Sequence, residues 1–310
     1  VKKAYQIMEE ESVAKGNPSG FISKKQKADV KDTVRRKLDD ELKSGRFRSS
    51  KMVPVLWDLS SQTLYSSASA SVFEKMSELF QRTFELELEA QSAGAIAQRV
   101  LAGLRRKRDY EDLRPTKFVP GPDGESGHPE YPWTAKGAQP KDFLGNEFLL
   151  WLWHEVDAHS GDVEIGEGKS ATVMIDNVLD LDCAYGQSGR DLLRGTGPTQ
   201  MPEARDALKS GKVPRKAGLI VDAGGSQFQF TFGAESFFLG AAKLPDIEEA
   251  ENPRVLFEER IGLLRDLCRT VDGLYESFLK LRTTSGWEGQ TGSIRRWIQS
   301  AGKRAAVAVA

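Results

Sequence analysis

The stretch from residue 217 to residue 244 constrains the fold most strongly, because it holds three strand patterns in immediate succession. The patterns cover residues 217–223, 227–232 and 236–244, and Gly224-Gly225 and Gly233 separate them. Connections this short join antiparallel neighbours, since a parallel pair needs a crossover of about a dozen residues or more. The stretch therefore predicts an antiparallel meander.

Elsewhere, helical patterns alternate in blocks with strand hairpins. Helices are predicted at residues 1–15, 23–43, 71–85 and 93–108, from Asp142, from Pro202 to Gly211, and from Asn252-Pro253 to Gly286; hairpins are predicted at 53–67 and 162–183. This order differs from a regular β-α-β alternation, so we predict an α+β fold with mostly antiparallel sheets and long helices. The expected regions are a projecting basic helical-hairpin tip (1–52), a central α+β region (53–114), a Pro/Gly-rich linker (115–141), a base α+β region with a long C-terminal helix (142–286) and a partly disordered tail (287–310).

Length and composition predict a globular protein without a membrane anchor. No apolar run approaches the roughly 18 residues that a transmembrane helix needs. Cys183 and Cys268 lie far apart in apolar settings and are expected to be small buried residues in a reducing compartment, so we expect the cytoplasm. The chain begins at Val1 inside a helical pattern, and we expect a further segment before it in the natural protein.

The segment from Ile22 to Lys51 carries the most specific chemical signal. It holds eleven cations and five anions, a net charge of +6, whereas the whole chain carries −1 and the remainder therefore −7. Such a polarised molecule points to a polyanion as partner. A basic face on a helix is often only a solvated surface. The sequence therefore leaves two alternatives, a solvated face and a phosphate-binding face.

Within the predicted helix, cations form a stripe beside an apolar one. Val30, Val34, Leu38 and Leu42 recur at spacing four and can pack on the preceding helix, while the neighbouring cations face a ligand. Phe47 is expected either to stack on bases, to dock into a partner subunit, or to be buried. The predicted phosphate contacts are Lys24, Lys25, Lys27, Lys31, Arg35, Arg36, Arg46, Arg48 and Lys51.

Several motifs could support an enzyme instead. Asp176, Asp180 and Asp182 could form the metal cluster of a nuclease, but no partner residue completes it. The turn from Asp222 to Ser226 is similar to a phosphate loop of actin-like ATPases, although a tight turn is the more economical interpretation. Gly168-Lys169-Ser170 lacks the glycine at 163 that a P-loop requires.

No motif for a metal or cofactor stands out, and we expect a binding protein that is not an enzyme. The three histidines, His128, His154 and His159, do not match H-E-x-x-H or another zinc spacing. A further alternative is a helical adaptor, in which the apolar positions from Leu264 to Leu281 would form a dimer seam.

The order of segments resembles the recombination-associated RdgC proteins of bacteria over about residues 1–286. The shared elements are short matches in a fixed order: the lysine-rich stretch from Lys27 to Asp32, the tip Arg46-Phe47, a strand ending in Trp57-Asp58, and a helix ending in Ser210-Gly211-Lys212-Val213 before the meander. Relative to that family, this chain would lack an N-terminal segment.

This resemblance implies a ring-shaped homodimer that encircles duplex DNA without marked sequence preference. Such a protein would be associated with the nucleoid and would limit RecA-driven recombination through competition for DNA. Phe47 occupies the position of the family's tip residue, which docks into the partner subunit. At the second dimer contact the family often has a basic residue and an amide, where this chain has Thr196 and Gly197.

Overall fold

A computed structural model of the 310-residue chain describes residues 2–15, 20, 22–44, 52–121, 127–134, 141–247 and 252–300. The chain divides into two compact units, residues 1–88 and 89–310. This boundary falls inside the predicted central region (53–114), whose hairpin and first helix belong to the first unit. Among the described residues, no helix is long and apolar enough to cross a bilayer.

The first unit begins with two helices, α1 (Lys2–Ala14) and α2 (Lys24–Lys43). A reciprocal capping box starts α2: the Ser23 backbone N–H donates to Gln26 Oε1 at 2.9 Å, and the Gln26 N–H donates to Ser23 Oγ at 3.3 Å. The helix predicted over residues 23–43 is confirmed. The capping box at its first turn favours its start at this position.

The two helices contact each other near the start of α2. The Tyr5 hydroxyl of α1 donates to the Lys27 carbonyl at 3.3 Å, and Val30 and Val34 are half-buried. Farther along the predicted apolar stripe, Leu38 and Leu42 are 52% and 66% exposed. The stripe is therefore half-buried at its start and faces solvent at its end.

An antiparallel hairpin and a third helix complete the first unit. Strands β1 (Val55–Asp58) and β2 (Thr63–Ser66) pair as predicted, and α3 spans Ala70–Phe84. The Trp57 ring on β1 contacts the edges of Phe80 and Phe84 on α3, at centroid distances of 5.1 and 5.3 Å. This aromatic cluster joins hairpin and helix.

The second unit is built on a six-stranded antiparallel sheet, which confirms the α+β class. Its strands are β3 (Asp162–Gly166), β4 (Lys169–Cys183), β5 (Asp191–Gly195), β6 (Lys212–Ala223), β7 (Ser226–Gly233) and β8 (Phe238–Lys243). They follow the order β3-β4-β6-β7-β8, and β5 also pairs with β4. The last three strands form the predicted meander.

The described residues of this unit form six α-helices, and α6 forms much of its core. They are α4 (Ala93–Gly103), α5 (Lys107–Asp112), α6 (Phe143–Ala158), α7 (Pro202–Lys209), α8 (Pro253–Arg282) and α9 (Gly286–Gln299). Phe148 on α6 meets Phe232 of the sheet and Tyr275 and Phe278 of α8. Asp142, predicted to cap α6, instead accepts a hydrogen bond from the Gly94 N–H at the start of α4.

Three sequence expectations need correction in this unit. The helix predicted over 93–108 is interrupted, because Arg105 adopts a left-handed φ of 60° between α4 and α5. Described parts of the expected linker (115–141) pack into the core through Phe118, Val119 and Tyr131. Residues that were expected to begin a tail (287–310) form most of α9.

Candidate nucleic-acid interface

Six of the predicted phosphate contacts lie on α2, and all six are exposed: Lys24, Lys25, Lys27, Lys31, Arg35 and Arg36. No residue of α2 is buried, so its cations face solvent all along the helix. The other predicted residues, Arg46, Phe47, Arg48 and Lys51, lie outside the described part of the chain.

The exposed cations divide into two faces of the helix. At about 100° per residue, Lys24, Lys27, Lys31 and Arg35 fall within one arc of roughly 80°. We call these four residues the basic stripe. With a rise of about 1.5 Å per residue, the stripe is roughly 16 Å long. Lys25 and Arg36 lie on another face that also carries carboxylates.

Within the described residues, no acid pairs with the stripe. No cation of α2 lies within 4 Å of a carboxylate oxygen anywhere in the described chain. From Lys24 to Lys37 the helix holds seven cations and two carboxylates, Asp29 and Asp32. The remaining acids of α2, Asp39, Asp40 and Glu41, cluster near its C-terminal end. Positive charge is thus concentrated in the first four turns.

The carboxylates considered for a nuclease site each have another partner. Asp180 is buried and receives hydrogen bonds from the Arg190 guanidinium, whose Nε lies 2.5 Å from Oδ1. Arg215 lies 3.1 Å from the Asp182 carboxylate, and the Gly197 N–H donates to Asp176 at 2.9 Å. These contacts explain the three acids as supports of the sheet and its loops.

The two glycine-containing segments are hairpin turns, as the sequence indicates. Gly224 and Gly225 adopt φ values of 60° and 80° between β6 and β7, where Ala223 pairs with Ser226. Left-handed values at both central residues are typical of the tight turn that suits the twist of a hairpin. Gly168 similarly occupies the turn from β3 to β4.

The seam proposed for a helical adaptor is buried within the chain itself. Leu267, Val271, Leu274 and Phe278 of α8 are each at most 3% exposed and belong to the core of the second unit. Their spacing reflects packing on the chain's own α6 and sheet, so this set is unavailable to a partner helix.

Sequence reasoning missed one cluster of polar side chains. His154, Glu155 and His159 come together at the end of α6, although they were not expected to form a site. The sequence carries the signal as H-E-x-x-x-H, one residue longer than the zinc-binding motif H-E-x-x-H. Because α6 ends at Ala158, the longer spacing still returns His159 to the same place.

We compared the chain with protein-family models, curated proteins and solved structures, and found no significant match in any of the three.

Proposed function

We propose that this protein binds duplex DNA through the basic stripe of α2, without marked sequence preference and without catalysing a reaction on it. The observation that supports this proposal is the set of exposed cations in the first four turns of α2, none of which pairs with a carboxylate of the residues that the structure describes. Cations that already had carboxylate partners would gain little from a phosphate backbone.

The physical reason is counterion release. Each phosphate neutralised by Lys or Arg frees condensed cations, and this gain is independent of sequence. Successive members of the stripe are about 6 Å apart along the helix axis, and contacts to phosphate position a protein without reading bases. The exposed N-terminal half of α2 therefore suits a backbone contact.

The proposed ring-shaped dimer and the proposed role in recombination follow from the resemblance to the RdgC family. Two copies would close a ring around the duplex, with the tip residue Phe47 docked into the partner subunit. The protein would then act in the cytoplasm on the nucleoid and would affect RecA indirectly, through competition for DNA. The α+β fold with antiparallel sheets is compatible with this assignment.

The test is a salt titration of duplex binding with a triple variant, Lys27→Gln/Lys31→Gln/Arg35→Gln. If these residues contact three phosphates, the slope of log K against log salt falls in magnitude by about 2.7. The matched control removes the same charge from the second unit, at Lys169→Gln/Arg254→Gln/Arg269→Gln, whose side chains are at least 71% exposed. Equal losses in both variants would contradict a specific role for the stripe.

The dimeric part is tested separately by molar mass in solution, with and without a short duplex. A ring predicts a mass of two chains, and a circular duplex should retain the protein better than a linear one of the same length. A monomer bound to linear DNA would refute the ring and leave the contact through α2 intact.

A further inference from the structure

The end of α6 brings together three side chains that carry metal-binding groups. His154 and Glu155 lie in the last turns of the helix, and His159 follows as its C-terminal cap with an extended backbone (φ −127°, ψ −157°). The helix path stops there, and the His159 ring meets the His154 ring at a centroid distance of 5.6 Å. Three residues close in sequence thus converge on one point.

The donor atoms are spaced as one small cation would require. His154 Nδ1 lies 3.2 Å from Glu155 Oε1, and His159 Nε2 lies 3.9 Å from Glu155 Oε2. One donor atom from each of the three residues lies within 4.8 Å of the others. A tetrahedral zinc ion with bonds of about 2.0–2.2 Å holds its ligands roughly 3.4 Å apart, so small side-chain rotations would suffice.

The surroundings hold two of the donors in place and leave the third accessible. The His154 side chain is only 4% exposed and packs edge-on against Trp297 at 5.5 Å. Gln290 Nε2 of α9 donates to Glu155 Oε1 at 2.7 Å and lies 3.3 Å from His154 Nδ1, so its amide links the two donor residues to α9. Outer hydrogen bonds of this kind are typical of metal ligands. The His159 side chain is 60% exposed and leaves a route for an ion.

We propose that His154, Glu155 and His159 bind one Zn²⁺ ion per chain. Two imidazoles and a carboxylate are a donor set that zinc uses in proteins, with solvent completing the coordination. Because Gln290 contacts the same carboxylate, the ion would also strengthen the junction between α6 and α9. This inference is independent of DNA binding.

The experiment uses the full chain after treatment with a chelator and dialysis, with no DNA present. Titration with Zn²⁺, followed by calorimetry, should give saturation at one equivalent. Replacement by Co²⁺ should give visible absorption bands. His159→Ala removes an exposed side chain, and Glu155→Gln keeps the shape of the carboxylate. Each variant should weaken Zn²⁺ binding by about tenfold or more.

His128→Ala is the matched control, because His128 is exposed and remote in sequence from α6. It should leave the affinity unchanged. Failure to saturate with Zn²⁺, or saturation that persists in both the His159→Ala and Glu155→Gln variants, would overturn the proposal and leave a hydrogen-bonded cluster only. Circular dichroism of each variant checks that the fold is retained.

Discussion

Cations in the two units have contrasting surroundings. In the second unit Arg282 is 9% exposed and donates to the fully buried Glu147, at 2.7 Å. Arg205 similarly pairs with Asp157 at 2.7 Å and stacks on the Trp297 ring. On α2, the cations are exposed and have no carboxylate partner in the described chain. The same residue types therefore stabilise the fold in one unit and remain available to a ligand in the other.

The largest expected effect comes from breaking a buried pair. Glu147→Gln should lower the free energy of unfolding by about 3–5 kcal/mol, because it leaves the Arg282 charge buried without a counterion. Glu147 also accepts from the Thr116 N–H at 2.5 Å, which adds to the cost. Urea denaturation measures the change.

An exposed pair provides the control for this prediction. Glu258→Gln removes the partner of Arg254, whose side chain is 87% exposed, and should change the free energy of unfolding by less than about 1 kcal/mol. A loss below 1 kcal/mol for Glu147→Gln would show that the buried pair does not have the structural role assigned to it.

A smaller effect is expected from making α2 more basic. Asp29→Asn/Asp32→Asn removes the two carboxylates among the first four turns and should tighten duplex binding roughly two- to thirtyfold, since exposed charge pairs contribute about 0.2–1 kcal/mol each. Fluorescence anisotropy at low salt measures it. Asp222→Asn/Asp246→Asn makes the same charge change in the second unit and should have little effect; comparable tightening there would indicate that only net charge matters.

The smallest effect is a pH dependence from a buried lysine. Lys141 is 8% exposed, and its Nζ donates to the Glu111 and Leu113 carbonyls. Burial, followed by the nearby Arg114 charge, lowers the pKa of Lys141 from its usual 10.5. Between the lowered pKa and 10.5 the unfolded chain binds more protons, so stability rises with pH across that interval.

Urea denaturation of the wild type and of Lys141→Met at pH 8, 9 and 10 isolates this contribution. The wild type should gain stability relative to the variant as the pH rises. Parallel curves would mean that Lys141 titrates alike in the folded and unfolded chain.

Local signals predicted the elements that depend on neighbouring residues. The start of α2 near Ser23, the start of α8 at Asn252-Pro253 and the turn at Gly224-Gly225 are as the sequence indicates. Each of these features needs only a few adjacent residues, so its pattern is visible without tertiary information.

Tertiary packing explains the features that were missed. Three glycines in α9 weaken its helical pattern, yet Trp287, Ile294 and Trp297 bury against the core and outweigh the low propensity. The donor cluster on α6 differs, because its three residues lie within six positions of one another and are visible in the sequence. Only its contact with Gln290 of α9 requires the fold.

The absence of buried residues on α2 has a consequence for how it would respond to a ligand. Most helical stability in proteins comes from tertiary packing, of which a helix without buried residues has little, and close like charges destabilise it further. A polyanion that screens those charges should therefore increase the population of helix, so that recognition and local ordering become one equilibrium. Circular dichroism would then show added helical signal on titration with duplex, in proportion to the fraction of α2 that is bound.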